Sequence, residues 1–358
     1  MKRILILGAT GSIGSSALDV IRTHRDDFGV AGVVSRSHAA DTERIGREFG
    51  APWFVGEDAA LRAVLETEAD IVLVATVGLS ALGPALAAID RGTPIALATK
   101  EVLVAAGALV MARAREKGVP IIPVDSEHSA IFQCMQGTPR SRIEKLTLTA
   151  SGGPFLSEPA DLSGVTPARA LAHPRWNMGP KVSIDSATMM NKGFEMVEAR
   201  WLFDVPMSDI DVVVHPESVV HSLLSFVDGS TLAQLAPPDM RVPIQYAFSW
   251  PDRLPAERKA LNLAAIGTLT FREPDENRFP ALRLVRETVE AGGRRMVALS
   301  AADEIAVGRF IAGEIAFTDI VRLVSGVVEA TVPSPCDSLE DVLAADSAAR
   351  DAARNWQR

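Results

Sequence analysis

The chain has 358 residues, and its 36 lysine and arginine residues against 45 aspartate and glutamate residues give a formal net charge of −9 at pH 7. This length predicts about two or three domains, and a composition of 47% hydrophobic and 23% charged residues argues against wholesale disorder. The acidic balance and the two isolated cysteines, Cys134 and Cys336, exclude general nucleic-acid binding, a disulfide scaffold and a cysteine-ligated zinc site.

The first third of the chain alternates short apolar runs with helical patterns. The runs do not alternate between apolar and polar residues, which is typical of strands covered on both faces. They lie at 3–7, 30–35, 71–75, 94–98 and 119–124. Helices are predicted between them, at 12–22, 39–49, 84–91 and 102–117. This order predicts an α/β fold that begins with a Rossmann-like doubly wound parallel sheet.

The pattern changes after residue 125. Residues 143–150 alternate as a half-buried strand does, and further strands are predicted at 212–214, 218–226 and 231–235, the last two joined by a hairpin at Asp228-Gly229. Helices dominate from about residue 278, at 281–291, 301–311 and 337–354. We therefore expect a central α+β catalytic domain and a C-terminal helical domain. The predicted boundaries are 1–124 for the nucleotide domain, 125–249 for the catalytic domain, 250–276 for a linker and 277–358 for the helical domain.

A glycine-rich turn connects the first predicted strand to the first helix. Gly8, Gly11 and Gly14 have the spacing GxxGxxG, a variant of the dinucleotide fingerprint, in which the helix N-terminus receives a pyrophosphate. The second strand ends in Arg36-Ser37-His38, without the acidic residue that NAD-binding sites place there. An arginine beside hydroxyl groups suits a 2′-phosphate, so the sequence favours NADP over NAD.

Three carboxylates are candidate ligands of a divalent cation. Asp125 and Glu127 follow a predicted strand, at the sheet edge where ligands gather in open α/β folds. Glu195 lies in a second cluster, and Asn191 would be its i, i+4 neighbour if the stretch from residue 188 is helical. Together the three acids would form an all-oxygen site for Mg²⁺ or Mn²⁺.

Candidate phosphate-binding groups lie in two segments. A Ser-Gly-Gly turn begins at Ser151, and a second cluster supplies Ser186, Asn191 and Lys192. Between them, residues 173–179 carry apolar side chains in a loop bounded by proline and glycine, which suits a lid that excludes water. His215 and His221 are interpreted as structural.

At these residues the chain closely resembles the 1-deoxy-D-xylulose 5-phosphate reductoisomerase family. The matching stretches run nearly end to end: GATGSIG (8–14), TKE (99–101), PVDSEHSAIFQ (123–133), SGGPF (151–155), HPRWNMG (173–179), SIDSATMMNKGFE (183–195), HPESVVHS (215–222), LAQLAPPDMR (232–241), AADEIAV (301–307) and FTDI (317–320). The resemblance implies an enzyme that uses NADPH and Mg²⁺, Mn²⁺ or Co²⁺, and that acts on a phosphorylated sugar in non-mevalonate isoprenoid synthesis.

The resemblance also implies a role for each matching residue. The catalytic residues would be Lys100, Asp125, Glu127 and Glu195, of which the three acids would hold the metal. The substrate-binding residues would be Lys100, Ser126, Glu127, Ser151, His173, Trp176, Met178, Ser186, Asn191, Lys192 and Glu195. The cofactor-binding residues would be Gly8, Thr10, Gly11, Ser12, Ile13, Gly14, Arg36, Ser37, His38, Thr99, Glu101 and Gly179.

The chain departs from the family pattern at a few positions. Thr99 replaces an asparagine that is common before the Lys-Glu pair, the Arg36-Ser37-His38 loop is unusual, and the chain is trimmed around 50–70 and 136–143. None of these changes removes a metal or phosphate residue. The longest apolar run, 102–112, is too short to cross a bilayer, and the N-terminus is not typical of a signal peptide. We therefore expect a cytoplasmic protein with no membrane or nucleic-acid partner, and the resemblance implies a homodimer.

Two other functions fit part of the pattern. An NADP-dependent dehydrogenase of the homoserine or semialdehyde type would share the nucleotide domain but would need no divalent metal. A non-catalytic NADP-binding regulator would leave Asp125, Glu127 and Glu195 without a use. The expected reaction is instead the rearrangement of 1-deoxy-D-xylulose 5-phosphate and its reduction to 2-C-methyl-D-erythritol 4-phosphate.

Overall fold

The computed structural model describes residues 1–156, 161–176, 178–256 and 260–357. Asn177, within the predicted lid, lies outside the described residues. The chain forms two compact units: the first comprises Met1–Val102, Val110–Ser129 and Asp239–Ala260, and the second comprises Leu103–Leu109, Ala130–Pro238 and Leu261–Arg358. The domain boundaries that we predicted from the sequence, after residues 124, 249 and 276, remain a proposal.

The first unit contains the predicted doubly wound sheet. Its six strands are parallel and follow the order β3-β2-β1-β4-β5-β6. They are β1 (Lys2–Leu7), β2 (Phe28–Ser35), β3 (Trp53–Val55), β4 (Ile71–Val74), β5 (Ile95–Leu97) and β6 (Ile121–Pro123). The strand order reverses between β1 and β4, so the carboxyl ends of these two strands border the crevice where such sheets bind ligands. The α/β prediction is confirmed.

Helices connect these strands. They are α1 (Ser12–Thr23), α2 (Ala39–Phe49), α3 (Ala59–Glu66), α4 (Leu82–Asp90), α5 (Glu101–Lys117) and α6 (Ser126–Cys134), of which α5 and α6 carry residues of both units. α5 ends at Gly118, which has the left-handed conformation expected of a helix C-cap.

One helix of the first unit comes from far along the chain. α10 (Arg241–Ser249) packs on α1, and the rings of Phe28 and Phe248 make an edge contact with centroids 5.7 Å apart. The ammonium of Lys2 donates to the carbonyl oxygens of Phe248 and Trp250 at 3.0 Å each. The predicted boundaries placed these residues in the catalytic domain, and no helix was predicted there. Their local pattern contains nothing that indicates the long-range packing.

The second unit is built on a four-stranded mixed sheet with the order β10-β9-β7-β8. Its strands are β7 (Ile143–Ala150), β8 (Ile210–Val214), β9 (Val220–Phe226) and β10 (Thr231–Leu235). β7 is parallel to β8 and antiparallel to β9, which forms the predicted hairpin with β10. β10 forms one edge of this sheet.

The helices of the second unit are α7 (Pro167–Leu171), α8 (Pro180–Thr188), α9 (Met190–Phe203), α11 (Leu263–Ile266), α12 (Ala281–Ala291), α13 (Arg294–Ile311), α14 (Asp319–Ala330) and α15 (Leu339–Asn355). One continuous apolar core joins β7, α9 and the C-terminal helices α12 to α15. Phe317 lies within it, with its ring 5.3 Å from that of Phe155 and 5.7 Å from that of Phe310. Among the described residues, no helix is long and apolar enough to cross a membrane.

Candidate active site

The turn after β1 can be formed only with glycine at two of its positions. Gly8 has φ +92°, and a Cβ there would lie 2.4 Å from the carbonyl oxygen of Ala75, which follows β4. A Cβ on Gly14 would lie 2.2 Å from the carbonyl oxygen of Gly8. These close approaches place the turn at the switch point of the sheet, where its backbone can reach a dinucleotide.

The same turn leads into the N-terminus of α1. Gly11 is the N-cap, and no side chain in the described part of the chain caps the helix. The first amide groups of α1, from Ser12 onward, are therefore oriented for an anion and carry the positive end of the helix dipole. Thr10 and Ile13 belong to this turn, and the donor set fits the pyrophosphate of a dinucleotide.

The loop after β2 presents a cation to solvent. Arg36, Ser37 and His38 are exposed, whereas the preceding Ser35 is buried. The hydroxyl of Thr42 donates to the carbonyl oxygen of His38 at 2.6 Å and lies 2.5 Å from the hydroxyl of Ser35, which fixes the course of the loop. An exposed guanidinium at the carboxyl end of β2 suits the 2′-phosphate of NADP.

Thr99 is buried and joins the ends of two strands. Its hydroxyl donates to the carbonyl oxygen of Thr76 at 2.5 Å and also lies 3.2 Å from that of Val74. The hydroxyl therefore holds the segment after β5 against the segment after β4. Any contribution of Thr99 to cofactor binding would come through this shape, since its one proton is used by the backbone. Glu101, also buried, begins α5.

The predicted metal ligands of the first unit lie where α6 begins. A carboxylate oxygen of Asp125 and one of Glu127 lie within 4.8 Å of each other. Asp125 accepts the backbone N–H of Ser126 at 2.9 Å and forms an ion pair with Lys100, and the hydroxyl of Ser126 donates to Glu127. Two carboxylates at this spacing supply the hard oxygen donors that Mg²⁺ and Mn²⁺ prefer, so the donor set fits the metal.

The sequence did not single out His128 as part of this cluster. Its ring is fully buried, and Nδ1 lies 3.9 Å from a carboxylate oxygen of Asp125. The sequence did contain a signal for this contact. His128 follows Asp125 by three residues at the start of α6, and residues i and i+3 lie on the same side of a helix.

In the second unit, the Ser-Gly-Gly turn after β7 packs against the end of α8. Gly153 has φ +67°, and a Cβ there would lie 2.8 Å from the carbonyl oxygen of Ser186. The turn therefore brings Ser151 toward Ser186, although the two residues are far apart in the sequence. Ser151 also accepts the backbone N–H of Gly153 at 3.2 Å.

The second predicted cluster surrounds the junction of α8 and α9. Met189, with φ +67°, separates the two helices and precedes the N-terminus of α9. The Asn191 amide donates to Glu195 Oε1 at 2.5 Å, which confirms the predicted i, i+4 contact, and Lys192 forms an ion pair with Glu195 Oε2. Lys192 and Glu195 are 4% and 1% exposed. A buried ammonium beside a helix N-terminus suits a phosphate group.

His173 anchors the predicted lid through both ring nitrogens. Nδ1 accepts the backbone N–H groups of Arg175, at 3.2 Å, and Trp176, at 2.9 Å. Nε2 lies 2.9 Å from the hydroxyl of Ser151 and must therefore carry the proton of the neutral ring. Burial lowers the pKa of His173 below its ordinary value, because the charged ring is poorly solvated there.

This geometry predicts a pH effect on substrate binding. The neutral ring contributes its full stabilisation of the lid above an unfolded-state pKa of about 6.5, and the contribution is lost as the pH falls through the lowered folded-state value. When the pH is lowered through this range, we expect the KM for the substrate to increase by a factor about tenfold larger in the parent than in His173→Asn. The asparagine side chain accepts the same N–H groups but does not titrate. The substrate's own titration is common to both proteins, so identical pH profiles would contradict the assignment.

Other contacts hold the lid and its neighbours. Arg175 donates from Nε to the carbonyl oxygen of Pro216 at 3.1 Å, and the rings of Trp176 and His221 lie 6.2 Å apart. His221 thus contacts the lid, which the sequence did not predict. Met178 precedes Gly179, the N-cap of α8, whose carbonyl oxygen accepts the Ser183 hydroxyl at 3.1 Å.

His215 has a structural role, as predicted. The ring is fully buried, with Nδ1 2.8 Å from the carbonyl oxygen of Thr270. Nε2 accepts the backbone N–H groups of Val219 and Val220 at 3.2 Å each. Both nitrogens are therefore used within the fold.

The predicted site residues divide between the two units. Lys100, Asp125, Ser126 and Glu127 belong to the first, together with the proposed cofactor residues except Gly179. Ser151, His173, Trp176, Met178, Ser186, Asn191, Lys192 and Glu195 belong to the second. The first unit therefore carries the glycine turn and two of the candidate metal ligands, and the second carries Glu195, the candidate phosphate-binding groups and the predicted lid.

Comparison with family models identifies matches over most of the chain. The model described as 1-deoxy-D-xylulose 5-phosphate reductoisomerase matches residues 4–54 and 47–107. The model of the C-terminal domain of 1-deoxy-D-xylulose 5-phosphate reductoisomerase matches residues 121–203, and that of the DXP reductoisomerase C-terminal domain matches 235–352.

Similar proteins cover the same length. The chain is 47% identical to the 1-deoxy-D-xylulose 5-phosphate reductoisomerase of Symbiobacterium thermophilum over 380 aligned positions, covering 99% of this chain and 98% of that one. Among solved structures, the reductoisomerase of Zymomonas mobilis in complex with NADPH has a TM-score of 0.91 at 39% identity, with 98% of both chains covered. A DOX-P reductoisomerase in complex with NADPH, fosmidomycin and magnesium has a TM-score of 0.92 at 37% identity, covering 99% of this chain and 98% of that one.

Proposed function

The chain belongs to the 1-deoxy-D-xylulose 5-phosphate reductoisomerase family, and from this membership we infer that it converts 1-deoxy-D-xylulose 5-phosphate into 2-C-methyl-D-erythritol 4-phosphate with NADPH and a divalent cation. The observation that carries this inference is 47% identity to a named relative over 99% of the chain. Neither the dehydrogenase nor the regulator is favoured, because the likeness includes the segments with the carboxylate and phosphate residues.

We propose that Asp125, Glu127 and Glu195 are the cation's protein ligands. When bound, the cation supplies Lewis-acid stabilisation of charge that develops on the substrate's ketone and hydroxyl oxygens. Lys100, which is ion-paired with Asp125, places a second positive charge beside these carboxylates and orients the one that it contacts. Ser126 holds Glu127 through its hydroxyl and restricts the rotamers of that side chain.

The phosphate of the substrate is assigned to groups of the second unit. Lys192 supplies a buried cation, Asn191 and Ser186 supply neutral donors, and the N-terminus of α9 adds backbone N–H groups. The Ser151 oxygen accepts a hydrogen bond from His173 Nε2–H, so its own hydroxyl proton can be donated to the phosphate. Binding energy from this end of the substrate can drive closure of the lid residues Trp176 and Met178 over the reacting carbons.

NADPH is assigned to the crevice of the parallel sheet. When bound, it supplies the hydride that reduces the rearranged substrate. The turn from Gly8 to Gly14 would receive the pyrophosphate, and the exposed Arg36, Ser37 and His38 would bind the 2′-phosphate. Thr99 and Glu101 would shape the crevice, and the family resemblance assigns Gly179 to the nicotinamide half.

A coupled assay tests the function. The purified protein should oxidise NADPH in the presence of 1-deoxy-D-xylulose 5-phosphate and Mn²⁺ or Mg²⁺, and EDTA should stop the reaction until metal is restored. Absence of oxidation with this substrate would refute the proposed function. Oxidation that is insensitive to EDTA would instead favour a metal-independent dehydrogenase.

We further propose a cytoplasmic homodimer that forms through β10. This strand is an unpaired sheet edge in the described part of the chain, and Leu232 on it is 51% exposed. The parent should elute in gel filtration at about twice its 38.2 kDa mass, and Leu232→Lys should shift the protein toward 38.2 kDa. Leu65→Lys, at a leucine that is 54% exposed on α3, is the matched control and should not change the mass. A monomeric parent would refute the proposal.

A further inference from the structure

A buried ion cluster connects α8 with α13. The ammonium of Lys181 lies 2.5 Å from a carboxylate oxygen of Asp185, one turn along the same helix, and 2.8 Å from one of Asp303 on α13. Asp185 and Asp303 are 2% and 0% exposed. The Lys181 ammonium also lies 4.6 Å from the ring centroid of Phe194, the residue before Glu195.

This cluster is an unusual way to hold two helices together. In the described part of the chain, Lys181 is the one cation within ion-pair distance of Asp303. Removing charges from water is costly, and well-packed apolar side chains of similar size often stabilise a fold as well or better. What a close ion pair adds is a defined separation between the two helices that carry its charges. We therefore interpret the cluster as a means of fixing the position of α8 rather than of adding to the stability of the fold.

The helix that it fixes carries predicted site residues at both ends. α8 is nine residues long and begins after Gly179, at the end of the lid. Ser186 lies near its other end, where the backbone oxygen of Ser186 packs against Gly153 of the Ser-Gly-Gly turn. A short rigid helix transmits a shift of one end to the other, so the Lys181–Asp303 contact sets the position of Ser186 and of the lid's last residue together.

We propose that Lys181 and Asp303 are positioning residues that hold α8 so that Ser186 is presented to the phosphate of the substrate. This inference rests on the proposed function, and it assigns to the C-terminal helical segment a part in the reaction although Asp303 does not touch the substrate. Asp185 completes the cluster by orienting the ammonium from within α8.

The test compares Asp303→Asn, Lys181→Gln and the double variant with the parent. Asp303→Asn preserves size but removes the charge that pairs with Lys181, so the protein should still fold while the ion pair is lost. We expect the KM for 1-deoxy-D-xylulose 5-phosphate to rise about tenfold in each single variant, with kcat and the KM for NADPH within about threefold of the parent. The KM of the double variant should not exceed the higher of the two single-variant KM values, since both changes remove the same Lys181–Asp303 contact. Asp303→Glu should restore part of the affinity.

Asp319→Asn is the matched control. Asp319 is 3% exposed on α14 of the same unit, and it contacts the Ala316 N–H and Arg322. This variant should leave the KM for the substrate unchanged.

A second measurement does not depend on turnover. Amide hydrogen exchange of peptides covering 180–188 should become at least about tenfold faster in Asp303→Asn, with peptides of β7 unchanged. An unchanged substrate KM in folded Asp303→Asn, or an equal rise in the KM for both substrates, would overturn the proposal. A parent that does not turn over at all would instead refute the proposed function, and the exchange experiment would still report whether the cluster holds α8.

Discussion

Glu195→Gln should reduce kcat by about 1,000-fold or more at saturating Mn²⁺, while the Kd for NADPH stays within about threefold of the parent. The substitution preserves size but removes the negative charge that a hard cation requires. It also turns an amide toward Lys192 or Asn191, both of which now donate to Glu195. Turnover should be measured from NADPH oxidation over a metal titration, and NADPH binding from quenching of protein fluorescence.

The control for Glu195→Gln is Asp204→Asn, which removes a carboxylate at the other end of α9. Asp204 is exposed and has φ +52°, a conformation that asparagine tolerates well. Its kcat should match that of the parent. Near-normal turnover of Glu195→Gln at saturating metal would refute the assignment of Glu195 as a ligand, whereas loss of NADPH binding would indicate damage beyond the metal site.

Gly8→Ala should weaken NADPH binding by about 100-fold and lower the Tm by several degrees. Alanine is disfavoured at φ +92°, and its Cβ would be placed 2.4 Å from the backbone oxygen of Ala75, which no side-chain rotation can relieve. The turn must therefore move away from β4, which displaces the amide groups of α1 that we propose bind the pyrophosphate. Titration of NADPH fluorescence and a thermal melt measure the two effects.

Gly83→Ala provides the comparison for Gly8→Ala. Gly83 lies in α4, and a Cβ there would meet no atom within 4 Å. This variant should bind NADPH like the parent and gain about 0.5 kcal/mol of stability, because alanine has the higher helix propensity. If Gly8→Ala retained parental affinity for NADPH, the glycine turn could not be the site of the pyrophosphate.

Local patterns in the sequence were sufficient where structure depends on near neighbours. The apolar strands of the first unit, the helix that ends at Gly118 and the hairpin at Asp228-Gly229 are all present, with element ends mostly shifted by a few residues. The contact between Asn191 and Glu195 was predictable because helical spacing alone places them together. Strand β3 and helices α3, α6 to α8, α10, α11 and α14 were not predicted. The shortest of these elements contain too few residues for periodicity to identify.

Long-range contacts were not predictable from the same patterns. Nothing near residue 248 indicates that its carbonyl oxygen accepts a hydrogen bond from the ammonium of Lys2. Equally, the AADEIAV stretch contributes to the family resemblance, but its local sequence does not indicate that Asp303 pairs with Lys181. Such pairs depend on how helices from separate segments pack, and each local sequence is compatible with many partners.

The sequence by itself determined the chemical class of this protein: the parallel sheet, the glycine turn for a dinucleotide, the acids for a hard cation and the family to which these motifs belong. These properties follow from residue types at short spacings, where backbone geometry leaves few alternatives. Only the tertiary structure decided how His173 uses its two nitrogens, why Gly153 must lack a side chain and which residue balances Lys181. Those features arise from distances of a few ångströms between segments far apart in the chain, and packing of the whole unit sets them.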